Sequence, residues 1–154
     1  MSTTPEGYSP AQVAGLGFSY PSEWQRVDQP EADLVLAWPE GKVEGFRPNL
    51  VITSEATDMS IQRLSTRAMA TVLAAHTGSY LIACDLWGVD PVPARRIGFT
   101  YTASGSTINV EKYLFRIGGQ AVDFTFSCGV RQYYSLEPLF GYIARTIRPA
   151  EVAA

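Results

Sequence analysis

Histidine and cysteine are scarce here, and their scarcity removes whole classes of chemistry. His76 is the only histidine, and Cys84 and Cys128 are the only cysteines. One imidazole makes a triad only with a nucleophile and an orienting partner in reach, and no ligand set has zinc spacing. There is no C-x-x-C pair, so redox catalysis is not expected. Basic clusters are missing too. Net charge is −3, and the nearest approach to a patch is Arg95–Arg96, which strand alternation puts on opposite faces. A nucleic-acid partner is therefore not expected. No stretch stays apolar for the roughly 18–20 residues of a membrane span. Residues 1–10 are polar and carry Glu6, without the basic start and apolar run of a signal peptide, and Cys84 falls too late for a lipobox. The expected location is cytoplasmic.

What is present is globular. The chain has 154 residues, 46% hydrophobic and 18% charged. A chain of this length buries roughly 68–70% of its unfolded surface. Residues 1–12 hold two prolines, Gly7 and small polar residues and are expected to form a flexible tail. Residues 13–149 are expected to form one domain and 150–154 a second tail. Alternation marks strands at 15–20, 34–38 and 49–54, with a short extended piece at 25–27. Ile61, Leu64, Ala68, Val72 and Ala75 recur at spacings of three and four, which is one face of a helix. Asp58 or Ser60 can cap it, and Gly78 sits where a left-handed C-terminal cap belongs.

The C-terminal third is the clearest. After a strand at 80–87 and the break Asp90-Pro91-Val92-Pro93, runs at 95–101, 107–116 and 120–128 follow one another. Gly105 and Gly118–Gly119 mark the turns. Ser135 is expected to cap a last helix over 135–146, with a buried stripe of Leu136, Leu139, Phe140, Ile143 and Ile147, stopped by Pro149. The order is β-β-β-α-β-β-β-β-α. That is an α+β fold: a central antiparallel sheet of about six to seven strands flanked by two main helices.

The run Gly17-Phe18-Ser19-Tyr20-Pro21-Ser22-Glu23-Trp24 resembles the G-F-x-[FY]-P-x-x-W opening of Mog/PsbP-like domains. These include actinobacterial LpqN-like lipoproteins, DcrB-like proteins and the photosystem PsbP subunit. Ala94-Arg95-Arg96 at the start of the meander fits the same pattern, as does 133–140 leading to a helix that ends at Thr146-Ile147-Arg148-Pro149. The resemblance runs from about Leu16 to Arg148, and residues 41–58 match nothing in it. It implies a central antiparallel sheet flanked by helices and no catalytic set. Members act as binding, adaptor, chaperone or assembly proteins without a shared functional motif, so no site residue carries over.

Each polar candidate has a plain structural explanation beside the chemical one. His76 falls in the last turn of the long helix, where a cation suits the helix dipole. Asp123 lies mid-strand, and Glu111 or Lys112 on the neighbouring strand can oppose it, so a cross-strand ion pair is expected. An enzyme built on Asp123 or His76 requires a pocket holding one of them beside a hydrogen-bonding partner. The cysteines are expected to be reduced and buried, or paired if their strands are neighbours. Gly118–Gly119 and Gly15-Leu16-Gly17 lack the strand-to-helix setting of a phosphate loop.

The aromatics are the least ordinary feature. Trp38 and Trp87 stand beside turns, and Tyr133 and Tyr134 begin the closing segment. Trp and Tyr are enriched at interfaces. These four are the candidate partner-binding residues, in a groove between sheet and helix flanked by the two indoles. The expected function is non-enzymatic: a binding, adaptor or chaperone-like domain docking a protein or peptide, in a secretion or envelope process. No cofactor or metal is expected, and a homodimer through an open sheet edge is compatible. The second reading is a carrier of a small apolar ligand, held between helix and sheet.

Overall fold

The computed structural model describes residues 3–150. Its strands are β1 (Tyr8–Val13), β2 (Leu16–Pro21), β3 (Gln25–Arg26), β4 (Leu34–Ala37), β5 (Asn49–Ala56), β6 (Tyr80–Val89), β7 (Val92–Ala103), β8 (Ser106–Ile117), β9 (Gln120–Gly129) and β10 (Arg148–Pro149). The helices are α1 (Ile61–Ala75) and α2 (Val130–Thr146). Seven strands form one antiparallel sheet in the order β3-β4-β5-β9-β8-β7-β6, and β1-β2-β10 form a three-stranded sheet. The α+β expectation holds. Strands β5 and β6 are separated by three antiparallel neighbours and so run parallel; such strands need a long crossover, and α1 supplies it.

Alternation decides which side chains meet which helix. Leu50, Ile52, Tyr113, Phe115, Phe124 and Phe126 point to one face and join Phe140 and Ile143 of α2 in the main core. Leu16 and Phe18 of β2 close it, with Phe18 edge-on to Phe124 at 5.3 Å. Ile97, Phe99 and Val110 point the other way and pack under Val72 of α1. Each buried large apolar side chain contributes roughly 1.5–3 kcal/mol, so the two-faced sheet is the main source of stability.

Where a break was expected at Asp90–Pro93, β7 instead starts at Val92 and runs through Pro93, which pairs with Gly88. Three further boundaries differ from the sequence reading. The segment expected as an N-terminal tail pairs along β2 as β1, from Tyr8 opposite Pro21 to Val13 opposite Leu16. Their turn sets Ala14 at φ 50° and Gly15 at φ 86°. Alanine is uncommon at positive φ, and the turn was illegible for that reason. The second difference is that α2 begins at Val130 rather than Ser135. Gly129 is its N-cap, and Gln132 Oε1 takes the Gly129 N–H at 2.7 Å. Ser135 is interior, its hydroxyl donating to the Gln132 carbonyl. Third, Pro149 lies in β10 against Leu16, and the Ala150 N–H bonds to the Gly15 carbonyl. The rest of the expected C-terminal tail lies outside the described residues. Ser60, not Asp58, caps α1, accepting from the Arg63 N–H at 3.2 Å.

Candidate functional site

The sheet's two faces put polar groups in two separate places. On the α2 face, Glu111 of β8 is 2% exposed. Its carboxylate accepts from the Tyr133 hydroxyl of α2 at 2.6 Å, the Tyr113 hydroxyl at 2.9 Å and Arg96 Nη2 of β7 at 3.0 Å. Arg96 Nη1 reaches on to Asp85 of β6 at 2.5 Å. A carboxylate this buried is tolerable only because donors surround it. Burial first, then the Glu111 charge, holds the Tyr113 hydroxyl well above the ordinary tyrosine range. Burial, followed by the Glu111 hydrogen bond, does the same for Tyr133. Burial opposes the Arg96 charge, but the bond to Glu111 outweighs it and keeps Arg96 firmly cationic. Burial, helped by Glu111, pushes the Cys128 thiol up to about 12, so it is no nucleophile at neutral pH.

Two of the four predicted aromatics belong to this place. Trp87 of β6 meets Tyr113 edge-on at 4.9 Å, and Tyr133 bonds the carboxylate that Tyr113 also bonds. Tyr134, one residue on, is 93% exposed. Trp38 is elsewhere. It follows β4, packs beside Trp24 with centroids 6.4 Å apart, and its carbonyl accepts from Arg47 Nε at 2.7 Å. Five strand steps separate β4 from β6, roughly 24 Å at about 4.8 Å per step. The two indoles, both part-buried, therefore do not flank one groove.

On the α1 face a groove of about 480 Å³ runs between α1 and strands β5, β9 and β8. Lys112 Nζ donates to Asp123 Oδ2 at 2.7 Å, and the Thr125 hydroxyl donates to Asp123 Oδ1 at 2.6 Å. The expected cross-strand ion pair is thus present, with Lys112 as the partner. Both Asp123 oxygens are engaged. His76, the C-cap of α1, stacks on Tyr101 at 4.2 Å. The groove lies where the small-ligand reading requires a pocket, and its floor is mixed, with Val110, Leu114 and Ala121 beside Lys112, Asp123 and Thr125. Among the described residues no three His, Cys, Asp or Glu side chains gather as a metal site, and no helix is long and apolar enough to cross a membrane.

The cysteines are unpaired, Cys84 exposed and Cys128 buried. Cys84 pairs across from Ile97 on the α1 face, while Cys128 joins the α2-side core two strands away from β7. Burial of Cys84 was the wrong expectation, because β6 is an outer strand. That edge position also leaves Leu86 81% exposed and Ile82 63% exposed. Sequence gives no signal of it, since an apolar run reads the same in a central and an outer strand.

Comparison with protein-family models and with curated protein sequences finds no match. Solved structures do match. The solution structure of cyanobacterial PsbP (CyanoP) from Synechocystis sp. PCC 6803 superposes with a TM-score of 0.73 at 16% identity, covering 97% of this chain and 96% of that one. PA94 of Pseudomonas aeruginosa, a protein of unknown function described as a putative regulator, gives 0.70 at 14% identity, with coverage of 94% and 99%. LpqN of Mycobacterium tuberculosis, described as involved in cell envelope biogenesis, gives 0.70 at 11%, with coverage of 91% and 88%. The chain has the Mog/PsbP-like fold that its opening and closing motifs resemble, and LpqN is among the solved structures that share it.

Proposed function

We propose that this chain is a non-enzymatic adaptor or chaperone-like domain that docks a protein or peptide partner in an envelope-associated or secretion process. The observation that carries this is the aromatic pair at the start of α2, where Tyr133 reaches Glu111 of β8 and Tyr134 turns to solvent. Tyr134 stands 93% exposed beside Tyr133, with the part-buried Trp87 on the same sheet face. A large aromatic held in water by a rigid helix is the kind of side chain that anchors interfaces. Trp38, at the far side of the sheet, is a separate and lesser contact in this reading.

The candidate catalytic groups favour binding over chemistry. Asp123 spends both oxygens on Lys112 and Thr125, Glu111 is enclosed by three donors, and the Cys128 thiol stays protonated. LpqN's link to cell envelope biogenesis supports the proposed setting. A cytoplasmic location is part of the reading, because an exposed free thiol such as Cys84 suits a reducing compartment.

The test is capture of partners from the native host at moderate salt, using the full chain, Tyr134→Ala and Trp87→Ala. A stoichiometric protein bound by the native chain and released by Tyr134→Ala is expected. Absence of any stoichiometric partner, or retention unchanged by both variants, would overturn the proposal.

A further inference from the structure

The two ends of the large sheet are finished differently. At one end β3 is two residues long and carries Arg26, so little backbone is open to pairing. At the other, β6 is ten residues long and has only β7 beside it. Alternate peptide groups of β6 therefore face outward with N–H and C=O unspent within the sheet. Sheet edges are normally guarded by lysine, proline or an outward charge. In β6 there is no lysine or proline, and its single charge, Asp85, is tied back to Arg96. The one guard present is a register irregularity between Leu81 and Ala83, which leaves the strand regular from Ala83 onward. Its most exposed apolar residue, Leu86, lies in that regular part.

We infer that β6 pairs antiparallel with β6 of a second copy of this chain, forming a two-fold dimer around a continuous sheet. Self-complementarity selects the occupant. With the two-fold axis at Cys84, Leu86 of one copy lies opposite the irregular Leu81–Ala83 segment of the other, which carries the exposed Ile82. With the axis at Leu86, the two Leu86 residues face each other. Either register puts exposed aliphatic against exposed aliphatic. An axis at Asp85 would set two carboxylates opposite one another, which is destabilising. The two-fold is perpendicular to the sheet, so both α2 faces lie on one side and Tyr134 stands outside the strand pairing. Trp87, on β6 itself, lies beside the seam, so the dimer adjoins the proposed partner surface, and Tyr134 is the residue that separates the two.

The test measures solution mass by light scattering on the full chain, for the native sequence and for Leu86→Lys. Native protein is expected to reach twice the 16.8 kDa of one chain as concentration rises, and Leu86→Lys to remain at the single-chain mass. Leu86 is 81% exposed, so the lysine is accommodated in the folded monomer, which circular dichroism verifies. Mild oxidation reports the register: Cys84 cross-links in the native chain if the axis is there, and Leu86→Cys in a Cys84→Ser background cross-links if it is two residues on. A monomer at every concentration overturns the inference. So does a dimer that survives Leu86→Lys, or one that cross-links in neither form. Tyr134→Ala should leave the dimer intact, which separates this result from failure of the partner hypothesis.

Discussion

Replacing Glu111 by alanine tests whether the α2-side network holds the helix to the sheet. The substitution strips three donors of their shared acceptor. Tyr113 is 1% exposed, so its hydroxyl has no water to turn to; leaving a buried donor unsatisfied costs about 1–3 kcal/mol. Tyr133 is part-buried and recovers some solvation, for a cost nearer 0.5–1 kcal/mol. Arg96 keeps Asp85, but losing one partner of a buried ion pair adds to the loss. The two hydroxyls account for about 1.5–4 kcal/mol, and the Arg96 loss brings the total to about 3–5 kcal/mol, as is typical of breaking such a pair. At roughly 2–4 °C per kcal/mol for this size, the melting temperature should fall by about 6–20 °C. Urea titration and calorimetry measure it. Tyr113→Phe in the Glu111→Ala background should recover part of the loss, because it removes the orphaned hydroxyl. A loss under about 1 kcal/mol, or strictly additive effects of the two substitutions, would refute the reasoning.

Other outcomes follow from the same geometry. Tyr113 and Tyr133 are held above their ordinary range and Cys128 is pushed from 9.0 up to about 12. Folded-state values that are raised give stability that is full below the unfolded values and is lost as pH climbs through the folded ones. Melting temperature should therefore decline from about pH 9 upward as the unfolded chain sheds protons first, and Tyr113→Phe should flatten that decline; a curve level to about pH 11 would contradict it. Lys112→Met should cost about 1–3 kcal/mol by urea titration, because both partners are only about a fifth exposed, at 20% and 18%, and Asp123 is left with the Thr125 hydroxyl alone. Ala14→Gly relieves a φ of 50°, a left-handed strain of roughly 1–2 kcal/mol, against about 0.4–1 kcal/mol of added unfolded-state entropy, so stability should rise by up to about 1.5 kcal/mol; a lowered melting temperature counts against strain at that turn.

The parts of the fold that were legible in sequence are those that carry their own period. In β9, Val122, Phe124 and Phe126 alternate with Asp123, Thr125 and Ser127, and the structure splits them between the two faces in that way. Strand β1 has no such rhythm; Ser9, Pro10 and Ala11 become a strand only because β2 lies alongside. The start of α2 was hidden for a similar reason. Its cap is a glycine, and the Gln132 side chain that supports it also reaches the Phe46 carbonyl, a distant contact that local sequence cannot announce. At the site, alternation correctly separated Glu111 from Lys112. It could not tell which of them α2 would cover, so Glu111 looked like an ordinary strand residue. Trp38 and Trp87 looked alike because each stands near a turn, and only the strand order sets them far apart.

Placing two opposite charges side by side in β8 has a consequence for register. Glu111 faces α2 and is answered by Arg96 from β7; Lys112 faces α1 and is answered by Asp123 from β9. Slipping either neighbour by one residue would turn its partner to the wrong face and leave a charge uncompensated. These pairs contribute modest net energy, since desolvation offsets much of the attraction. What they supply is discrimination, pinning β7, β8 and β9 to one alignment in a meander whose apolar alternation alone tolerates slips of two. Arg96 extends the chain of ties to Asp85 on β6, and there it stops. Beyond Asp85 no side-chain charge projects from β6 to specify or repel a further strand. The sheet is therefore rigidly specified through its centre and open at one edge, which is where an added strand would meet least resistance.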